Sequence, residues 1–203
     1  MVPQRKDWMN CKKIAGIDYS LTSPAICVYT EEEDGGYFDF DSCMLHYLSH
    51  TERQQQLAAG CGISNLKVEP YPEWKTAEER HEKLADWAYR IVQGCEEVYL
   101  EGYAYGVTSN RAPIYENTAI LKHKMWKYKV PFTIFPPTVI KKHATGKGNA
   151  DKELMYKVFC DELLTPTDLK ERLTPKAKKI ISPISDIVDS YFIAKCGIDG
   201  VLG

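Results

Sequence analysis

Two short apolar runs in this 203-residue chain each stop on a carboxylate: Ile14, Ala15 and Ile17 lead to Asp18, and Val98 to Leu100 lead to Glu101. Both runs read as strands. An acid at the C-terminal end of a strand stands where α/β sheets usually place their sites. The surrounding pattern supports such a sheet. SPAICVYT continues from the first run as a second strand, and GGYFDFDSCMLHYLS supplies a third after the Asp34-Gly35-Gly36 turn, so the chain opens as an antiparallel meander. Residues 51–74, with Gly60, Gly62, Pro70 and Pro72, lose any periodicity and read as an irregular excursion.

Helical signals dominate the rest. Thr76 followed by Glu79 forms a capping box, and Leu84, Trp87, Ala88 and Ile91 recur at helical spacing until Gly94. Helices are also expected over 114–128, over 136–146 with its stop at Gly146, and over 150–164, with a strand over 130–135. Residues 165–181, lysine-rich and carrying Pro166 and Pro175, read as a connection. Ser182 is the expected N-cap of a last helix, with Pro183 its first residue. This order gives an α/β fold with a mixed five-stranded sheet flanked by helices. The length suits a single domain over 1–203, since one core stays efficient to roughly 250 residues.

Composition decides between partners only when its distribution is considered. The net charge of −2 weighs against a nucleic-acid ligand. Yet between Lys122 and Lys152 lie Lys124, Lys127, Lys129, Lys141, Lys142 and Lys147, with Asp151 as the only acid, so one face can be strongly basic. The seven cysteines are scattered and include no CxxC pair, which disfavours structural zinc and a disulfide framework; Cys43 and His46 are read as strand residues. No apolar run approaches the roughly 20 residues of a membrane span, and the polar start MVPQRKDWMNCKK does not read as a secretory signal. A cytoplasmic protein is expected.

Asp186 and Asp189 are spaced i, i+3 at the start of the last expected helix and point from one face. They can close over Asp18 and Glu101 if the two strands are neighbours. Each acid alone has an ordinary explanation, as a loop former or a partner of the helix dipole. Together, four close carboxylates would repel by roughly 4 kcal/mol per close pair at an effective dielectric near 20, and divalent cations relieve that repulsion. A donor set of oxygens alone favours Mg²⁺, with Mn²⁺ as a substitute, and two such ions can support in-line hydrolysis of a phosphodiester.

IAGIDYSLTSPAICVY, EEVYLEGYAYG, PPTVIKKHATGKGNADKEL and SPISDIVDSYFIA, in this order, resemble the RuvC family of Holliday junction resolvases across nearly the whole chain. The resemblance is most specific in VIKKHATGKGNADKE and in the final DIVDSYFIA. It implies a ribonuclease H-like fold and a magnesium-dependent endonuclease that resolves four-way junctions by paired nicks. Asp18, Glu101, Asp186 and Asp189 would be the metal ligands, and Lys152 would act beside them. DNA contacts would come from Lys141, Lys142, Lys147, Lys152, Tyr103, Tyr105 and Arg111.

Departures from the family are specific. Asp-Pro-Gly is replaced by Asp18-Tyr19-Ser20, tyrosines stand in for a base-contacting Phe, and Tyr191 falls near where a His often follows the last acid. The segments near 51–75 and 165–181 read as insertions, which suggests a viral or organellar branch acting, if viral, in the host cytoplasm. The glycines at 146 and 148 around Lys147 are expected to bring backbone N–H groups to phosphate. GIDYSLTS also resembles a phosphate loop of actin-like and sugar-kinase ATPases, but those enzymes need about twice this length, and the glycine loop HATGKGNA lacks the Walker A spacing, so no nucleotide cofactor is expected. A broader flap or branched-DNA nuclease, a ribonuclease H and a non-catalytic DNA-binding module remain as alternatives. The two-fold symmetry of a four-way junction implies a homodimer, with Ile120, Leu121 and Met125 in the 114–128 helix serving as core or interface.

Overall fold

The computed structural model describes residues 12–31, 37–102, 112–163 and 168–201. The strands are β1 (Lys13–Asp18), β2 (Ala25–Thr30), β3 (Cys43–Ser49), β4 (Leu66–Pro70), β5 (Glu97–Glu101) and β6 (Phe132–Phe135). The helices are α1 (Glu52–Gly60), α2 (Ala77–Val92), α3 (Ala112–Lys127), α4 (Pro137–Thr145), α5 (Lys152–Glu162), α6 (Leu169–Leu173) and α7 (Ile184–Ile198). The strands form one mixed sheet in the order β4-β3-β2-β1-β5-β6. The opening strands make the expected antiparallel meander, and β5 then lies parallel to β1 with Ile17 opposite Leu100. That register sets Asp18 and Glu101 side by side at the ends of adjacent strands.

Among the described residues the sheet has six strands rather than five. Residues 51–74, expected to be irregular, hold α1 and β4, and β4 extends the sheet by pairing parallel with β3. Residues 165–181 are more than a connection, because α6 buries Leu169 and Leu173.

Local signals otherwise act as their chemistry requires. The Thr76 hydroxyl accepts from the Glu79 N–H at 3.2 Å, while the Glu79 carboxylate accepts from the Lys75 N–H at 2.8 Å, one residue before the position a capping box would give. Asp151 caps α5 by accepting from the Leu154 N–H at 2.9 Å. Helix α4 stops at Gly146 in the left-handed region, with φ +76. No helix among the described residues is long and apolar enough to cross a membrane.

Alternation along the strands divides the core into two layers. Ala15, Ile17, Ile26, Val28, Val98 and Leu100 pack with α2 and α3, burying Leu84, Ala88, Leu121 and Met125. The opposite face, with Ile14, Ala25, Cys27, Leu45, Tyr47 and Tyr99, packs under α7 and α5. Asp18 and Glu101 follow Gly16 and Tyr99 at the two-residue period, so they share the face covered by α7.

Helix α7 crosses β1 at very short range. A Cβ on Gly16 would lie 2.3 Å from the Ala194 nitrogen and 2.4 Å from the Ser190 oxygen, both backbone atoms that cannot swing aside. One on Gly197 would meet the Tyr99 ring at 2.1 Å. These two missing side chains fix where α7 sits over β1 and β5. Gly16→Ala is therefore expected to cost on the order of 3 kcal/mol, through overpacking against rigid backbone. Gly94, where an added Cβ meets nothing within 4 Å, is the control position. Thermal denaturation of both variants checks this: a marked loss for Gly16→Ala beside little change for Gly94→Ala.

Candidate functional site

The parallel pairing of β1 and β5 supplies Asp18 and Glu101, and the first turns of α7, held down by Gly16, supply Asp186 and Asp189. The four carboxylates sense one another. Burial raises Asp18 well above the ordinary aspartate range, and the negative charges of Asp186, Asp189 and Glu101 add to it, while Lys152 opposes it. Asp189 is pushed up to about 7, first by burial and then by Glu101 and Asp186, with Lys141 and Lys152 opposing. Burial also raises Glu101, against the pull of Lys141. Asp186, only 8% exposed, is raised by burial but relieved by hydrogen bonds from Ser182, Ser23 and Ser185 and by the charge of Lys152.

The sequence reading thus finds its four acids, with Lys141 and Lys152, gathered at one edge of the sheet. Lys152, at the start of α5, donates from Nζ to the Ser185 hydroxyl at 3.1 Å. Ser185 and Ser182 both hydrogen bond to Asp186. The Ser182 hydroxyl therefore serves the carboxylate one helical turn on, and α7 begins with Pro183 in the N-cap position without a side-chain cap. The expected Ser182 cap is corrected by one residue. Sequence reasoning missed this ring of serines. The i, i+4 spacing of Ser182 and Asp186 was a usable signal, but Ser23 reaches Asp186 only through the fold.

Among the described residues no three His, Cys, Asp or Glu side chains converge closely enough to cage an ion as they stand. The carboxylates nonetheless act on one another, because charges act over a longer range than coordinate bonds. Asp186 accepts from Ser182 on Oδ2 and from Ser185 on Oδ1, and a carboxylate keeps further lone pairs for a metal. A desolvated cluster of oxygen donors with raised proton affinities fits a hard divalent cation and fits zinc poorly.

Other predicted contacts fall differently. Lys142 and Lys147 are exposed on the α4–α5 corner, and no interaction among the described residues couples them to the acids. The loop of Gly146 and Gly148 is not an open phosphate cradle: the Gly146, Lys147 and Ala150 N–H groups already donate to Lys142 O, Thr145 Oγ1 and Lys147 O. Gly148 is small because the Thr138 carbonyl lies 3.2 Å from its would-be Cβ. Arg172, in the stretch read as a connection, donates to the Cys61 carbonyl and braces α6 against the end of α1. Tyr103, Tyr105 and Arg111 lie outside the described residues.

No family model matches the sequence, and no curated protein is similar to it by sequence alone. Solved structures are similar in fold. RuvC of Thermus thermophilus superposes with a TM-score of 0.54 at 17% identity, covering 93% of this chain and 96% of that one. The fold is that of the RuvC-type resolvases. The yeast mitochondrial Holliday junction resolvase is similar at a TM-score of 0.52 and 14% identity, over 91% of this chain and 77% of that one. Fowlpox virus resolvase, solved with Holliday junction DNA, is similar at a TM-score of 0.51 and 15% identity, over 94% and 99%. In this architecture the strand ends with Asp18 and Glu101 lie under α7.

The raised proton affinities set the pH dependence of stability. A carboxyl that binds its proton more tightly when folded favours the fold most below the unfolded value, and the advantage is lost as pH rises through the folded value. For Asp189 that window runs from the ordinary 3.8 to about 7. In a chelating buffer, Asp189→Asn is expected to melt higher than the unaltered chain, by a margin that opens across this window. Thermal melts at a series of pH values test it; a margin that is absent or constant would contradict the coupling.

Proposed function

We propose that the chain is a divalent-cation-dependent endonuclease that resolves four-way DNA junctions, with Asp18, Glu101, Asp186 and Asp189 as its metal ligands. The observation that carries this reading is the mutual coupling of these acids at one sheet edge, flanked by Lys141 and Lys152. The fold shared with structures solved on junction DNA supports it.

Magnesium, as two ions when bound, supplies the charge that activates a water and stabilises the leaving oxygen in phosphodiester hydrolysis. The chain's own groups prepare that step. The acids position the cations, and the Ser182 and Ser185 hydroxyls hold Asp186 in one orientation. Lys152, itself positioned by Ser185, places an ammonium beside the scissile phosphate. Lys141 does the same from the side of Glu101 and Asp189. Closure of α7 over β1 keeps the site partly desolvated, which strengthens each of these interactions.

Paired nicks require two copies of the site, so the reading includes a homodimer. Leu121 and Met125 are fully buried in the core and Ile120 partly so, leaving Ile114, Tyr115, Trp126 and Tyr128 as the exposed apolar residues of α3 and its end. Sedimentation of the DNA-bound protein as a monomer alone would count against the dimer.

Asp18→Asn and Glu101→Gln are expected to abolish magnesium-dependent nicking of a synthetic four-way junction while leaving junction binding intact. Lys152→Ala is expected to slow nicking on the order of a hundredfold. Cleavage assays on four-way, three-way, flap and RNA–DNA hybrid substrates decide the matter. Symmetric paired nicks in the four-way substrate support resolution, whereas cleavage confined to hybrids contradicts it.

A further inference from the structure

A cleft of about 560 Å³ beside α2 and β4 carries its own acids, Glu69 and Asp86, and Arg90 is already spent on Glu69 at 2.6 Å. Two smaller clefts differ. One, of about 230 Å³, opens beside the serines of Asp186 and is lined by Thr22, Ser23, His50, Gln54 and Ser182. The next, of about 330 Å³, shares Gln54 and Ser182 with it and continues to Arg53 and Lys176. Neither is lined by a carboxylate. Adjoining through Gln54 and Ser182, the two clefts make a groove that runs from beside Asp186, past hydroxyl, amide and imidazole groups and the apolar Leu57, Leu173 and Ile181, to two exposed cations. Arg53 and Lys176 make no ion pair among the described residues.

The wall of this groove is held in place. The β1–β2 loop that carries Thr22 and Ser23 is clamped by three side chains from outside it. The Tyr71 hydroxyl and Arg80 Nη2, the latter at 2.7 Å, donate to the Leu21 carbonyl. His50 Nε2 bonds the Thr22 carbonyl at 2.7 Å, and its ring stacks on Tyr71 at 3.9 Å. Arg53 comes from α1 and Lys176 from the stretch after α6, so both segments that read as insertions contribute to the groove.

We propose that this groove is the track on which the phosphodiester backbone of one DNA strand leaves the acid cluster, with the Gln54 amide meeting the phosphate next to the cut and Arg53 and Lys176 those farther along. An amide donor near the cluster suits phosphate there without adding charge that would compete for the acids. Exposed cations farther out neutralise phosphate and release counterions. The preset loop lowers the ordering cost of binding.

The proposal rests on the junction-nuclease reading, and its test separates the two. Arg53→Glu, Lys176→Glu and the double variant are compared with Lys157→Glu, an exposed lysine of α5 paired with Asp161 and remote in sequence from the groove. Each variant's fold is checked by thermal melting, and binding of a fluorescent four-way junction is followed by anisotropy over a range of salt. Each groove variant is expected to bind on the order of tenfold more weakly and to reduce the salt slope by about one, and the double variant by about two. Lys157→Glu should match the unaltered chain. Binding and salt slope unchanged in the double variant would overturn the track while leaving the nuclease reading standing. Failure of the unaltered chain to bind any junction would overturn both.

Discussion

Helix α7 can bring Asp186 and Asp189 to the ends of β1 and β5 only because residue 16 has no side chain. The backbone of α7 at Ser190 and Ala194 occupies the space a Cβ would need. At the other end of the helix, Gly197 takes the ring of Tyr99. These contacts convert a helix packed on a sheet into a helix in fixed register with two particular strands. Without that register, acids distant in sequence would be separate surface groups, each solvated and each with an ordinary proton affinity. With it, they share one poorly solvated edge, and every one of them is harder to ionise.

Such a cluster works against the stability of the fold at neutral pH. Like charges gathered in a partly buried site persist where the surrounding structure over-determines them, and here it does so through a fully packed α7 and through hydroxyls around Asp186. Lys141 and Lys152 reduce the repulsion but stand at the flanks. What remains uncompensated is negative charge, and under the proposed function a hard cation would take it up.

The central strands and the longer helices were legible because their signals are local: apolar runs for β1 and β5, the cap at Thr76, and the glycine stop at Gly146. Helix α1 was not, because it is polar and buries only Ala58, leaving no periodic stripe to find. Strand β4 was hidden by Pro70, which reads as a breaker but is tolerated at the end of an edge strand. The four acids and two of the lysines could be named from strand ends, helix spacing and family likeness. The serine ring, the Tyr71–Arg80–His50 clamp and the burden on Gly16 depend on contacts between distant segments, which no window of sequence contains. The glycines at 146 and 148 misled in the opposite direction, since a local motif suggested phosphate where the fold uses them for a helix stop and a close approach.

The proposed function requires Asp18, Glu101, Asp186 and Asp189 to form a single divalent-cation site. Anomalous diffraction from crystals soaked in manganese tests it most directly. The account predicts anomalous density ligated by Asp18 together with acids from β5 and α7, and its loss from crystals of Asp18→Asn. Manganese bound only elsewhere on the chain, or density at this edge that survives that substitution, would contradict it.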